Sequence, residues 1–171
     1  MRGPQDPEEV AQQPSRRASV VVASNRAAAG VYADETGPLI VDALRADGWE
    51  VEDAAVVPDG APVGDAIRSA IAAGARLVLT TGGTGLTPTD RTPEATRALL
   101  DREIPGIAEA IRAHGLAQGV PTAMLSRGIA GVSGDALVVN LPGSRGGVKD
   151  GLAVVLPVLR HAVDQVTGSD H

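Results

Sequence analysis

The stretch best equipped for chemistry is Thr80-Thr81-Gly82-Gly83-Thr84-Gly85, which follows the apolar run Leu77-Val78-Leu79. Its glycines permit positive φ and close approach of backbone to a ligand. Successive N–H groups can then turn inward as an anion-binding nest, and the hydroxyls of Thr81 and Thr84 add donors. Phosphate is the group such a loop serves. It is not a P-loop, because no Gly-Lys-Ser/Thr follows, and it lacks the glycine spacing of the dinucleotide fingerprint. Alone, it is equally well explained as a tight strand-to-helix turn. The next residues shift the balance: Asp90, then Thr92-Pro93-Glu94, which reads as an N-cap, a first-turn proline and an acid at a helix start. A helix N-terminus favours anions. An acid beside phosphates calls for a divalent cation, and Mg²⁺ takes carboxylate and phosphate oxygens together. Asp59, in the turn Pro58-Asp59-Gly60, is the second acid of interest. The competing readings are a turn residue for Asp59, a capping residue for Asp90, and a helix-dipole acid for Glu94.

Such a loop must be carried by a strand and released into a helix, and the flanking sequence supplies both. Continuous apolar runs predict buried strands at residues 19–23 and 77–80. A polar loop follows the first of them over residues 25–37. Pro38 then sits where a first helical turn tolerates proline, and that helix ends at Ala46 before Gly48. Residues 49–57 read as a further strand. Val63, Ala66, Ile67, Ala70 and Ile71 mark one buried face of a helix opened by Pro62 and closed by Gly74. Helical stretches start at Thr92 and cover residues 107–114. Residues 122–126 fit either a helix or an irregular segment. Residues 129–132 and 136–140, joined by Ser133-Gly134-Asp135, predict a hairpin. A last helix spans residues 147–166, with Pro157 expected to bend it or delete a hydrogen bond. Alternating strands and helices imply an α/β domain whose mostly parallel sheet, with one antiparallel strand, is covered on both faces. Ligands of such sheets bind beyond the carboxyl ends of the strands. That places residues 24–26, 58–60, 81–90 and 140–144 around one crevice.

Composition removes several alternatives. The 171 residues fit one domain, and 43% hydrophobic content supplies a core rather than a disordered chain. With no Phe, one Trp and one Tyr, that core must rely on Val, Leu, Ile and Ala. The absence of Cys excludes disulfides, thiolate metal sites and a Cys nucleophile. A net charge of −6 argues against nucleic-acid binding, and scarce aromatics leave no base-stacking platform. Lys149 is the only lysine, so a positive site must be built from Arg or backbone N–H groups. His114, His161 and His171 lack metal-ligand spacing. Residues 1–17 are polar and proline-containing, which predicts a disordered tail before a domain over residues 18–171. No signal-peptide apolar region follows the tail, and the apolar run at residues 152–159 is too short to span a bilayer. The expectation is a soluble, cytoplasmic protein without membrane contact.

The run from Thr80 to Gly85, followed by Asp90 and Thr92-Pro93-Glu94-Ala95, resembles the defining motif of the MogA/MoaB family of molybdenum-cofactor biosynthesis proteins, to which a domain of gephyrin is similar. Ser24-Asn25-Arg26, Val57-Pro58-Asp59, Leu125-Ser126-Arg127 and Asn140-Leu141-Pro142-Gly143-Ser144 match other family segments in order. The resemblance implies a three-layer α/β/α domain, commonly a homotrimer. It also implies adenylylation of molybdopterin by ATP with Mg²⁺, and hand-over of the product to a molybdenum-insertion protein. Carried over, Asp59 and Asp90 are the catalytic and metal-holding acids. Ser24, Thr81, Gly82, Gly83, Thr84, Gly85, Glu94, Ser126, Pro142, Gly143 and Ser144 bind substrate and phosphate. Family members often carry Asp where this chain has Asn25. Two rivals are a non-catalytic molybdopterin-binding carrier or scaffold of the MoaB branch, and a phosphate hydrolase resembling competence-damage proteins, which tend to have a second domain.

Overall fold

The computed structural model describes residues 15–169. Fourteen residues of the predicted tail lie outside that range, while Arg17 already opens the first strand. The elements in order are β1 (Arg17–Ala23), α1 (Asn25–Ala28), α2 (Thr36–Ala46), β2 (Glu50–Val51), β3 (Ala55–Val57), α3 (Ala61–Ala72), β4 (Leu77–Thr81), α4 (Thr92–Arg97), β5 (Arg102–Glu103), α5 (Pro105–Ala117), a 3₁₀ helix (Pro121–Leu125), β6 (Ala130–Ser133), β7 (Ala136–Leu141) and α6 (Arg145–Val166). The sheet order is β2-β1-β4-β7-β6-β5, with β3 pairing β1 beyond β2. The β1, β4 and β7 pairings are parallel, and β6 runs antiparallel to both β5 and β7.

Side chains alternate across the sheet, as strand geometry requires. Val20, Leu77, Leu79, Leu137 and Val139 face one way and pack under α2, α5 and α6, with Ile40, Leu44, Val155 and Leu159 completing that core. Val21, Val78 and Val138 face the other way and pack under α3 and α4, against Val63 and Ile67. Two cores on opposite faces of one sheet give the three-layer α/β/α arrangement. Trp49 is buried in the first, with Arg16 over its ring and paired to Asp164 of α6. Among the described residues no helix is long and apolar enough to cross a membrane.

The structure departs from the sequence reading in several places. The strand predicted over residues 49–57 is two short strands, because Glu52-Asp53-Ala54 leaves the edge of β1 between them. The loop after β1 contains α1, whose start is fixed by Ser24 Oγ accepting from the Ala27 N–H at 3.1 Å. The next helix starts two residues before Pro38, because Asp34 Oδ1 accepts from the N–H groups of Thr36 and Gly37. Thr92 is not an N-cap: it is the first helical residue, and no side chain caps α4. The final helix starts at Arg145 rather than Gly147, because Ser144 Oγ accepts from the Gly147 N–H at 3.0 Å. Pro157 stays inside α6 on its exposed face, so the Ala153 carbonyl deprived of its partner is open to water.

Candidate active site

The glycine loop leaves β4, whose five residues are all buried. Gly82 and Gly83 have φ of 87° and 68°, a region costly for other residues. Space demands glycine as well. A Cβ on Gly82 would strike the Ala23 carbonyl oxygen, and one on Gly83 would strike Thr92 Oγ1. Among the described residues the amide N–H groups of Gly83, Thr84 and Gly85 have no protein acceptor. All three residues line a cleft of about 450 Å³ shared with Asp90, Ser126 and Ser144.

The two acids stand at opposite ends of this loop. Asp59 Oδ1 lies 3.0 Å from where a Gly83 Cβ would be, and Asp90 Oδ2 lies 2.8 Å from the same point on Gly85. Asp59 is clamped by Asn25: the Asp59 N–H donates to Asn25 Oδ1 at 2.9 Å, and the Asn25 N–H donates to Asp59 Oδ2 at 3.4 Å. A neutral Asn performs this clamp without adding a third negative charge. Asp59 Oδ1 is buried without a hydrogen-bond partner. Burial pushes the Asp59 carboxyl above its ordinary range; the Asn25 N–H opposes that and the Asp90 charge adds to it. Asp90 Oδ2 accepts from the Thr87 N–H at 3.0 Å. Among the described residues no Arg, Lys or His forms an ion pair with either acid. Two mutually repelling carboxylates with no cation partner among the described residues fit a magnesium ion that arrives with nucleotide phosphates. Among the described residues no cluster of three His, Cys, Asp or Glu side chains forms a resident metal cage.

Arg127 organises the loop. Its backbone N–H donates to the Thr84 carbonyl at 2.8 Å. Its guanidinium donates to the carbonyls of Gly85 at 2.9 Å and Asp90 at 2.8 Å, and to Glu94 Oε1. This is fork geometry that only arginine offers. Glu94 is therefore bound to Arg127, and that hydrogen bond is the main cause holding its carboxyl below its ordinary range. Arg112, from α5, steadies the other side through the carbonyls of Ser126 and Gly128 at 3.3 and 3.1 Å. Beneath the loop Asn140 is buried and fully used. Its Nδ2 donates to Thr80 Oγ1 and Thr96 Oγ1 at 2.9 and 3.0 Å, and its Oδ1 accepts from the Ile129 N–H at 3.2 Å.

The predicted residues divide accordingly. Gly83, Thr84, Gly85, Asp90, Ser126, Gly143 and Ser144 meet at the acid cleft. Ser24, Thr81 and Gly82 line a neighbouring cleft of about 550 Å³, and Gly143 borders both. A Cβ on Gly143 would lie 3.1 Å from Gly82 Cα, so these two glycines form the ridge between the clefts. The Thr81 hydroxyl does not serve as a phosphate donor, since it donates to the Pro142 carbonyl at 2.7 Å. Ser24 Oγ is shared between its capping bond and Tyr32 Oη. Glu94 is turned to Arg127 rather than to a phosphate. Arg127, Arg112 and Asn140 were not assigned roles from sequence. Their partners lie 11 to 60 residues away, and only the motif matches at Leu125-Ser126-Arg127 and Asn140–Ser144 hinted at Arg127 and Asn140.

The profile described as "Probable molybdopterin binding domain" matches residues 19–161. A molybdenum cofactor biosynthesis bifunctional protein of Synechococcus elongatus is 42% identical over 155 residues, covering 90% of this chain and 48% of that protein. The molybdopterin adenylyltransferase of Haemophilus influenzae is 39% identical over 138 residues, covering 78% of this chain and 69% of that one. The structure of the molybdopterin biosynthesis Mog protein of Mycobacterium ulcerans superposes with a TM-score of 0.84 at 54% identity, covering 89% of this chain and 99% of that one. The chain spans half or less of the length of several curated relatives it matches.

Proposed function

The chain belongs to the molybdopterin-binding domain family of molybdenum-cofactor biosynthesis, and on that premise we propose that it is a molybdopterin adenylyltransferase, moving AMP from ATP to the molybdopterin phosphate with release of pyrophosphate. The observation carrying this reading is the pair Asp59 and Asp90 at the two ends of one glycine loop, their charges unpaired by any cation among the described residues. A loop used only for binding an anion gains nothing from two carboxylates beside it.

In the proposed reaction a molybdopterin phosphate oxygen bonds to the α-phosphorus of ATP, and the bond to the bridging oxygen of pyrophosphate breaks. The nucleophile is already anionic, so no strong general base is required, and positioning and charge neutralisation remain the enzyme's work. Asp59 and Asp90 would hold magnesium, which supplies charge neutralisation for the nucleotide phosphates. The N–H groups of Gly83, Thr84 and Gly85 would hold phosphate oxygens. Arg127 keeps those amides in place through Thr84, Gly85 and Asp90. Asn25 fixes the rotamer of Asp59. Homotrimer assembly, a cytoplasmic location and hand-over to a molybdenum-insertion protein rest on the resemblance alone.

The test is pyrophosphate release from ATP, Mg²⁺ and molybdopterin by the purified protein. Release by wild type and its loss in an Asp59→Ala, Asp90→Ala double variant are expected. Normal turnover by that variant contradicts the mechanism, and tight pterin binding by wild type without release points to a carrier instead.

A further inference from the structure

Asp59 spends only one of its two carboxylate oxygens. Oδ2 accepts from the Asn25 N–H, while Oδ1 is buried without a hydrogen-bond partner among the described residues. Thr92 shares that defect: the residue is fully buried, and its hydroxyl has no partner among the described residues either. Buried polar groups are as a rule satisfied, and each exception calls for a reason. These two exceptions meet at one place. A Cβ on Gly83 would strike Thr92 Oγ1 and lie 3.0 Å from Asp59 Oδ1, so both oxygens border the same empty point. The Thr92 N–H donates to the Gly83 carbonyl at 3.0 Å, which holds the residue under the loop.

The two groups are chemically complementary. An ionised carboxylate only accepts, and a hydroxyl carries one donor that rotates to suit. A carboxylate that binds a cation through one lone pair is kept in orientation by donors to its others. The Asn25 N–H supplies such a donor at Oδ2. Thr92 is placed to supply the second, at Oδ1. Gly83 then serves by more than its positive φ, because any side chain there would occupy the point across which Thr92 and Asp59 face each other.

We propose that Thr92 is a positioning residue of the acid cleft: with a cation and nucleotide phosphates in place, its hydroxyl donates to Asp59 Oδ1 and holds that carboxylate in its metal-bearing orientation. The proposal rests on Asp59 being a metal-holding acid, as in the function proposed above. The probe is α,β-methylene-ATP, which cannot be cleaved at the reacting bond, titrated calorimetrically into the full chain with Mg²⁺ and again with EDTA. The ratio of the two affinities reads the metal's contribution alone. Thr92→Val is expected to shrink that ratio about tenfold, to leave the affinity in EDTA within about twofold, and to melt no lower than wild type. Thr92→Ser, which keeps the hydroxyl, should retain the wild-type ratio. Adding Thr92→Val to Asp59→Asn should cost nothing further, as a coupled pair requires. An unchanged ratio in Thr92→Val, a Thr92→Ser variant as impaired as Thr92→Val, or a parallel loss of affinity in EDTA overturns the role of Thr92. Absence of any metal dependence in wild type, or a full ratio in Asp59→Asn, overturns the metal-holding reading and this one with it.

Discussion

Arg127 is the side chain whose removal tests most sharply whether the acid cleft is held by a scaffold built for it. Arg127→Ala deletes two charge-assisted bonds to the carbonyls of Gly85 and Asp90 and the contact with Glu94. The Arg127 and Glu94 side chains are 36% and 40% exposed, so solvent screens the ion pair and it is worth about 0.5 kcal/mol. Each carbonyl bond contributes about 0.5–1.5 kcal/mol net. The sum is about 2 kcal/mol, which in a chain of this size lowers the melting temperature by roughly 4–8 °C. The loss should narrow in acid. The Glu94 carboxyl is held below its ordinary range, so the stability from its pair is complete above that range and disappears as pH falls through the lowered value. The effect on turnover should exceed the effect on folding, because the freed segment carries Asp90; at least a tenfold fall in kcat is expected at temperatures where the variant is folded. Arg127→Lys should recover part of the melting temperature and little of kcat, since an ammonium cannot reproduce the fork. Thermal unfolding and pyrophosphate release provide both readouts. An Arg127→Ala variant with a lowered melting temperature and kcat within twofold of wild type would show that Arg127 does not hold the cleft for turnover.

Three further outcomes follow from groups around the loop. Asp59→Asn should melt higher than wild type at neutral pH and be inactive. A carboxyl raised in the folded state favours folding below its unfolded value and loses that contribution as pH rises through the folded one, so the gap should close below about pH 4; a variant less stable than wild type at pH 7 contradicts the burial argument. Asn140→Ala should cost about 3 kcal/mol by chemical denaturation, because it strands the Ile129 N–H and two Thr hydroxyls in a buried network; a loss under 1 kcal/mol would mean the network is dispensable. Thr92→Val should be neutral or stabilising by about 1 kcal/mol, since Thr92 Oγ1 is buried without a partner; a fall in melting temperature of several degrees would show an unrecognised bond.

The legible parts of this protein were those with local signals. Apolar runs announced β1, β4 and β7, and the glycines after β4 announced the loop, because burial and positive φ are written residue by residue. Asp59 and Asp90 stood out only through their place after strands. The clamp on Asp59 by Asn25 was not legible: they are 34 residues apart, and the reciprocal pair depends on β1 and β3 ending side by side. The role of Arg127 was not legible beyond its place in a motif, because its side-chain partners are 33 to 42 residues away. Thr92 was misread as a cap since threonine before proline has that local preference. Its hydroxyl instead fills the space that Gly83 leaves open. Thr81 was misread as a ligand donor for a similar reason, as its Pro142 partner is 61 residues distant.

In the proposed mechanism the two acids serve transfer and not merely binding. The direct measurement is transfer of label from ATP carrying a radioactive α-phosphate onto molybdopterin, alongside molybdopterin affinity, for wild type, Asp59→Asn and Asp90→Asn. Labelled product is expected from wild type alone, with pterin affinity within a few-fold in all three proteins. Labelled product from either variant at the wild-type rate, or a loss of pterin affinity that fully explains the loss of product, would contradict it.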